Sequence, residues 1–322
     1  MKNLFLAAAA ALGLLVSCNK EGNEIYETSK GAVATVSFTD EEPATRAFFG
    51  STAAAETWEK ALNTVTIFVI DPSGDLLAKR SFSAAELSAK KATFALPNAV
   101  PGTVCEFYAV ANLDMAQVNS SDVLTAMLEQ DAASYNGTFA DVSTKAKRTG
   151  GFVMSGMKSQ TVGAVNSTTN VGITLKRTVA KVALQTTVDE SFADKYAGEL
   201  TINSVKLSKA ASQSSVVAGT PTPGAMSYTH TQTLAAASGK YNALFYCFEN
   251  GSLTAGNRVL LEINATYDLD GNGSTTDDRS EVTYSVELTG KAAGEILRNG
   301  YYRVAANICL LYTSPSSRDK RQ

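Results

Sequence analysis

The residues with the clearest chemical role stand near the start of the chain, where a cysteine follows an apolar run. Apolar and small residues run unbroken from Leu4 to Val16, and Ser17 and Cys18 end the run. This stretch has the length of a signal-peptide core and is too short to span a bilayer. Its last four residues, Leu-Val-Ser-Cys, have the form of a bacterial lipobox. The sequence therefore predicts a signal peptide over residues 1–17 and acylation of Cys18 as the mature N-terminus.

A second chemically distinctive position is Arg46, which precedes Ala47 in a polar segment. Residues 18–30 are polar and predict a flexible tether between the lipid and the fold. The segment from Asp40 to Ala47 is polar and contains Pro43, so we expect a loop that a protease can reach. Two interpretations follow: the Arg46–Ala47 bond is a cleavage site, or Arg46 is an ordinary surface residue.

Asp268, Asp270 and Asn272 place oxygen-bearing side chains at alternate positions of one short segment. Calcium-binding loops begin in this way because alternate oxygens converge on one ion. The pattern then departs from such a loop. Arg279 stands where a bidentate glutamate is required, although either of the two preceding aspartates could replace it, and helices do not flank the segment. A Ca²⁺ site on these three residues and a metal-free hairpin loop therefore both remain possible.

The sequence contains few residues that suit enzymatic catalysis. His230 is the only histidine, so the many serines have a single possible base. The sequence contains neither a Gly-x-Ser-x-Gly elbow nor a phosphate-binding glycine loop. Trp58, the only tryptophan, precedes a predicted strand and is interpreted as a packing anchor. We predict that the protein is not an enzyme and needs no cofactor.

Cys105 and Cys247 lie in apolar, strand-like segments. Because cysteine is among the most frequently buried residues, both are interpreted as buried free thiols. The alternative is a disulfide, which requires Cα atoms within about 7 Å of each other.

Composition argues against several classes of partner. The chain has 322 residues, a formal net charge of -3 and only 18% charged residues. It has neither a basic patch that would bind nucleic acid nor an acidic tail. Its apolar fraction of 44% is sufficient for a buried core, and its length suits two domains.

Short strands dominate the hydrophobic pattern. Residues 31–38 alternate, with Ala34, Val36 and Phe38 on one face, and predict a strand. Residues 281–289 alternate more sharply, which is typical of a strand with one buried and one solvent-facing side.

Only residues 120–133 carry the three-to-four spacing of a clear helix. Two runs of strands, divided near Lys176-Arg177, predict two antiparallel β-sandwich domains in tandem over residues 31–176 and 177–308.

The order of several segments resembles the fimbrillin family, the subunits of the type V pili of Bacteroidia. The resemblance covers nearly the whole chain and depends on order, since each motif alone is weak. The segments are the lipobox at Cys18, Arg46-Ala47 after a short strand, Val-Thr-Ile-Phe-Val-Ile-Asp-Pro-Ser-Gly over 65–74, Phe-Tyr-Ala-Val-Ala-Asn over 107–112, Leu-Lys-Arg-Thr-Val-Ala-Lys-Val over 175–182, and Ile-Leu-Arg-Asn-Gly-Tyr-Tyr-Arg-Val over 296–304.

This resemblance implies two transthyretin-like domains and a route of assembly. A lipidated precursor reaches the outer membrane and the cell surface, where an arginine-specific, trypsin-like protease cuts after Arg46. The strand within residues 31–46 leaves with the lipid, and a strand from another pilus subunit fills the vacated groove. The resemblance leaves open stalk, tip and anchor subunits, and a monomeric, uncleaved surface lipoprotein that binds glycans or host proteins is the alternative.

The C-terminal end departs from the family. Residues 309–322 closely resemble the translation of a sequencing-library adapter, so we interpret them as a non-native tail that includes Cys309. In stalk fimbrillins the corresponding residues supply the donor strand.

Overall fold

The computed structural model describes residues 32–40, 55–217, 225–237, 239–273, 278–290 and 293–311. The chain is mainly β there, and its helices are short, which confirms the predicted fold class. None of these helices has the length and apolar character that crossing a bilayer requires. The strands are β1 (Ala32–Asp40), β2 (Val65–Ile70), β3 (Leu76–Ser81), β4 (Lys91–Leu96), β5 (Val104–Ala111), β6 (Leu128–Glu129), β7 (Met154–Thr161), β8 (Thr168–Arg177), β9 (Val179–Val188), β10 (Glu199–Ala210), β11 (Ser214–Ser215), β12 (Tyr228–Thr233), β13 (Ala235–Ala237), β14 (Lys240–Phe248), β15 (Leu260–Asp268), β16 (Arg279–Glu287) and β17 (Tyr301–Ile308). The α-helices are α1 (Ala84–Ala89), α2 (Ser121–Thr125), α3 (Phe139–Thr144) and α4 (Phe192–Lys195).

The first sheet has seven strands in the order β3-β2-β5-β7-β8-β1-β4. The sheet has two arms, β3-β2-β5-β7 and β8-β1-β4. The arms join where β7 pairs with β8, and this pairing is confined to Met154 and Ser155 of β7. Phe107 from one arm and Phe94 and Ile173 from the other lie in a single hydrophobic core. The sheet therefore folds back on itself at β7 and β8 and forms both layers of a sandwich.

Two four-stranded sheets, β12-β10-β15-β16 and β13-β14-β9-β17, form the second sandwich. Leu184 of β9 lies in the core between them, whereas its neighbour Ala183 lies in the first core. Phe245 and Tyr246 of β14 are divided between the cores in the same way. Because β9 and β14 are covered on both faces, their sequences are nearly continuous apolar runs.

Two strand pairs in the described ranges are parallel, which the predicted antiparallel sheets did not include. β1 runs parallel to β8, and β17 runs parallel to β9, whereas the other strand pairs are antiparallel. A parallel pair needs a long connection, so it joins strands far apart in sequence and leaves no hairpin signature.

The helix predicted over residues 120–133 is wrong beyond its first turn. Ser120 caps α2 by accepting a hydrogen bond from the backbone N–H of Val123, as the cap pattern predicts. The chain then extends, and β6 pairs with β11 from the second half of the sequence. This distant pairing overrides the local helical period.

Gly156 of β7 packs tightly against the backbone of β8 and supports a prediction. A Cβ at this position would lie 2.2 Å from the carbonyl oxygen of Thr174, whereas one at Gly172 of β8 would meet nothing within 4 Å. Gly156→Ala is expected to lower the free energy of unfolding by at least about 1–3 kcal/mol, because the backbone must move. Gly172→Ala is the matched control and should stay within about 0.5 kcal/mol of the wild type. Urea denaturation measures both, and equal midpoints would contradict the prediction.

Candidate functional site

The candidate site is the position that β1 occupies inside the first sheet. β1 pairs antiparallel with β4 over Ala32–Ser37 and parallel with β8 over Val33–Asp40. It is thus an inner strand with hydrogen-bonded neighbours on both sides. We call the space between β4 and β8 that β1 fills the β1 slot.

The inward face of β1 completes the first core. Ala32, Ala34, Val36 and Phe38 are all at most 5% exposed. The ring of Phe38 lies 5.0 Å from that of Phe82, centroid to centroid. The predicted alternation of Ala34, Val36 and Phe38 on one buried face is therefore what the structure shows.

The outward face of β1 carries three hydroxyl-bearing residues, Thr35, Ser37 and Thr39, beside Val33, and it is linked to both neighbouring strands. The hydroxyl groups of Thr35 and Thr93 of β4 lie 2.8 Å apart, and those of Thr39 and Thr174 of β8 lie 3.2 Å apart. Removing β1 would expose apolar side chains inside and two rows of unpaired backbone groups at β4 and β8. Burial of Val36 and Phe38 alone is worth about 1.5–3 kcal/mol each.

Glu59 attaches the segment that begins at residue 55 to strands of both sandwiches. This carboxylate is 1% exposed and lies 2.8 Å from Nζ of Lys181 in β9. Arg177 at the end of β8 approaches it to 3.7 Å, and the Tyr246 hydroxyl donates to it from β14. Burial raises the pKa of Tyr246 well above its ordinary value, and the Glu59 charge adds to this rise. Burial lowers the pKa of Lys181, although Glu59 opposes this effect.

A second buried ion pair joins Arg298 to Glu249. The Arg298 guanidinium donates through Nε to both carboxylate oxygens at 3.0 Å and also through Nη2. It reaches the carbonyl oxygen of Ser215 at 2.8 Å and Oγ of Ser155 at 3.2 Å. The pair therefore fastens the β11 segment to β7 and to the loop before β17.

The sequence alone does not identify Glu59 and Glu249 as the partners of buried basic residues. The available signal was the presence of Arg177, Lys181 and Arg298 in otherwise apolar, strand-like segments. A charge in such a segment requires a partner when it is buried. Periodicity does not say which acid supplies it, because Glu59 lies 122 residues from Lys181.

The loop predicted to bind calcium brings carboxylate oxygens of Asp268, Asp270 and Asp278 within 4.8 Å of one another. These groups already have partners. Asp268 accepts from the backbone N–H groups of Gly271 and Gly273, and the Asn272 amide donates to Asp270. Partial desolvation raises the pKa of Asp268, but the backbone donors, a side-chain hydrogen bond with Asp270 and the charge of Arg279 together lower the pKa overall. The Ca²⁺ site on Asp268, Asp270 and Asn272 stays a prediction.

His230 and Trp58, two further residues considered in the sequence, both pack against neighbouring residues. His230 Nε2 lies 3.0 Å from the carbonyl oxygen of Gly137, and its ring packs against Phe245. Trp58 is half-buried against the first core, as expected of a packing anchor. Cys18, Arg46 and Ala47 lie outside the described residues.

Cys105 and Cys247 are buried free thiols, as predicted, and should not react in the folded protein. Burial raises the pKa of Cys105, with a contribution from Asp71, and raises that of Cys247 to about 12. The reactive form is the thiolate. At pH 8 a chromogenic disulfide reagent should therefore leave both unmodified until guanidinium is added, whereas Cys309 is half-exposed and should react. Rapid reaction of either buried thiol would contradict this prediction.

No protein-family model matches the chain, and no curated protein matches it. Solved structures do match. A candidate cell adhesion protein from Parabacteroides distasonis ATCC 8503 has a TM-score of 0.61 at 14% identity, over 89% of this chain and 93% of that chain. Another, from Bacteroides eggerthii DSM 20697, has a TM-score of 0.58 at 17% identity, with the same coverage of 89% and 93%. The tip fimbrial protein Mfa3 from Porphyromonas gingivalis, with C-terminal truncation, has a TM-score of 0.52 at 16% identity over 85% and 94%.

At these identities the matches show a shared fold. The chain has the fold of cell adhesion and fimbrial proteins of the Bacteroidia, in agreement with its resemblance to the fimbrillin family. These neighbours are described as adhesion and fimbrial proteins, and none of the three is described as an enzyme.

Proposed function

We propose that this protein is a structural subunit of a cell-surface pilus that supports adhesion. It is exported as a lipoprotein acylated at Cys18, held at the outer membrane, and cut after Arg46 by an arginine-specific surface protease. β1 then leaves, and a strand from another pilus subunit enters the β1 slot. The two sandwich domains, residues 31–176 without the removed residues 31–46 and residues 177–308, form the body of the mature subunit.

The observation that carries this proposal is the inner position of β1. The strand is buried on one face and hydrogen-bonded along both edges. Its covalent connection to the rest of the fold is the segment of residues 41–54. A cut in that segment would separate β1 covalently while leaving a slot that fits an extended strand. Strand addition restores both the backbone ladder and the apolar contacts.

Strand exchange between subunits is also consistent with growth of a filament. A subunit that receives a strand at its slot and gives a different segment to the next subunit makes a head-to-tail contact, which propagates unless the rotation closes. The proposed partners are therefore other pilus subunits, of the same or another kind.

The experiment is to determine the N-terminus of the protein recovered from the cell surface. Mass spectrometry should find chains that begin at Ala47, and Arg46→Ala should leave chains that begin at acylated Cys18 and do not polymerise. Arg279→Ala, which removes an exposed arginine, is the matched control and should mature normally. Acylated Cys18 on all surface molecules of the wild type would contradict cleavage. That result would favour an uncleaved surface lipoprotein or an anchor subunit.

A further inference from the structure

The inward residues of β1 vary in size in step with the residues opposite them on β4. Ala34 stands opposite Phe94, and Val36 stands opposite Ala92. All four side chains are at most 8% exposed, so each pair fills a closed space. The same complementarity places Ala32 opposite Leu96. Small residues in β1 thus face large residues in β4, and the reverse.

The end of the slot near Phe38 has different neighbours. The last pair of β1 with β4 in register is Ser37 with Lys91, so Phe38 lies beyond it. On the other side Phe38 stands opposite Ile173 of β8, and its ring meets Phe82. The native strand therefore places an aromatic ring here, whereas it places alanine opposite Phe94 and Leu96.

We infer, on the basis of the proposed function, that the β1 slot selects the register of the strand that replaces β1. The partner is an extended segment of another subunit with a small residue opposite Leu96, a small residue opposite Phe94, a β-branched residue opposite Ala92 and an aromatic residue beside Phe82. These inward residues alternate with outward polar ones, as in a half-buried strand.

A wrong register meets a penalty at each step. A shift by one residue turns the whole apolar face toward solvent. A shift by two residues in one direction brings Val36 opposite Phe94, where alanine stands in the native register, and a closely packed core tolerates extra volume poorly. The same shift in the other direction brings Ala34 opposite Ala92 and leaves the space of the Val36 side chain partly empty, which loses packing contacts. A hydroxyl group at the position of Thr35 adds selectivity on the outer face, because it can bond to Thr93 as Thr35 does.

The inference can be tested on the full chain without relying on Arg46. A recognition sequence for a site-specific protease is inserted between residues 50 and 51, and the folded protein is nicked there. A fluorescently labelled peptide with the sequence of residues 32–40 is then added, and its exchange into the slot is followed by anisotropy. Unlabelled peptides that compete with it report their relative affinities.

The peptides form matched pairs. The Ala34→Phe peptide should compete at least about tenfold more weakly than the native peptide, the effect expected of overpacking a closed site. The Val36→Ile peptide also adds volume, but it does so opposite Ala92 and should stay within about threefold. In nicked protein carrying Phe94→Ala, or Phe94→Leu if the first variant does not fold, the Ala34→Phe peptide should regain affinity.

Each outcome decides the inference. Equal competition by the native and Ala34→Phe peptides would overturn register selection and leave strand exchange standing. Discrimination that persists unchanged in the Phe94 variant would overturn the cross-strand explanation. Failure of every peptide, including the native sequence, to enter the nicked protein would overturn both strand exchange at this slot and the selectivity inferred for it.

Discussion

Glu59→Ala is expected to lower the free energy of unfolding by about 3–5 kcal/mol, the range for removing one member of a buried ion pair. The substitution leaves the charges of Lys181 and Arg177 buried without their carboxylate and takes away the acceptor of the Tyr246 hydroxyl. Guanidinium denaturation followed by circular dichroism measures the loss. Glu59→Gln should cost less, because the amide oxygen still accepts hydrogen bonds.

The matched control is Glu262→Ala. Glu262 lies 3.1 Å from Lys206, but the two side chains are 27% and 41% exposed. An exposed pair of this kind contributes about 0–1 kcal/mol. Equal losses for Glu59→Ala and Glu262→Ala would show that burial of Glu59 does not set its contribution.

This effect bears on maturation because Glu59 lies shortly after the proposed cut. Its partners belong to β8, β9 and β14, so it fastens residues 55–62 to both sandwiches independently of β1. We therefore expect these residues to stay protected from hydrogen exchange in nicked wild-type protein and to lose protection in nicked Glu59→Ala. Equal protection in the two proteins would contradict this role.

Arg298→Ala is expected to have a comparable effect, about 3–5 kcal/mol, for a second buried pair. The Glu249 carboxylate would lose its cationic partner and keep the hydroxyl donor of Ser214, and the carbonyl oxygens of Ser215 and Val216 would lose a donor. Arg298→Lys should restore little, because an ammonium group cannot reproduce the planar, bidentate contact.

Hydrogen exchange localises the Arg298 effect. Residues 214–217 should exchange faster in Arg298→Ala because the guanidinium holds this segment against β7. Arg258→Ala is the matched control: Arg258 lies 3.8 Å from Glu287, and both side chains are more than 20% exposed. A change spread evenly over the protein, or an equal loss in the control, would contradict the prediction.

Local patterns were reliable where a strand has one buried and one solvent-facing side. β1 and β16 alternate in this way, and the sequence predicted both strands to within two residues at each end.

Prediction failed where distant segments decide the local structure. The three-to-four spacing over residues 120–133 predicted a helix, yet β6 within this range is held by pairing with β11 across the molecule. The parallel partners of β1 and β17 were not predicted either, because no hairpin connects them. Pairing energies between remote strands depend on tertiary context, which a single segment does not record.

The mainly β fold and the buried face of β1 with Ala34, Val36 and Phe38 could be derived from the sequence alone. These features depend on side-chain size and polarity along one segment. The three-dimensional structure was needed to show that β1 lies between β4 and β8, that Glu59 neutralises Lys181, and that Cys105 and Cys247 are free thiols. The reason is physical: a strand or a buried charge needs a partner, but its own sequence specifies the kind of partner and not the position that supplies it.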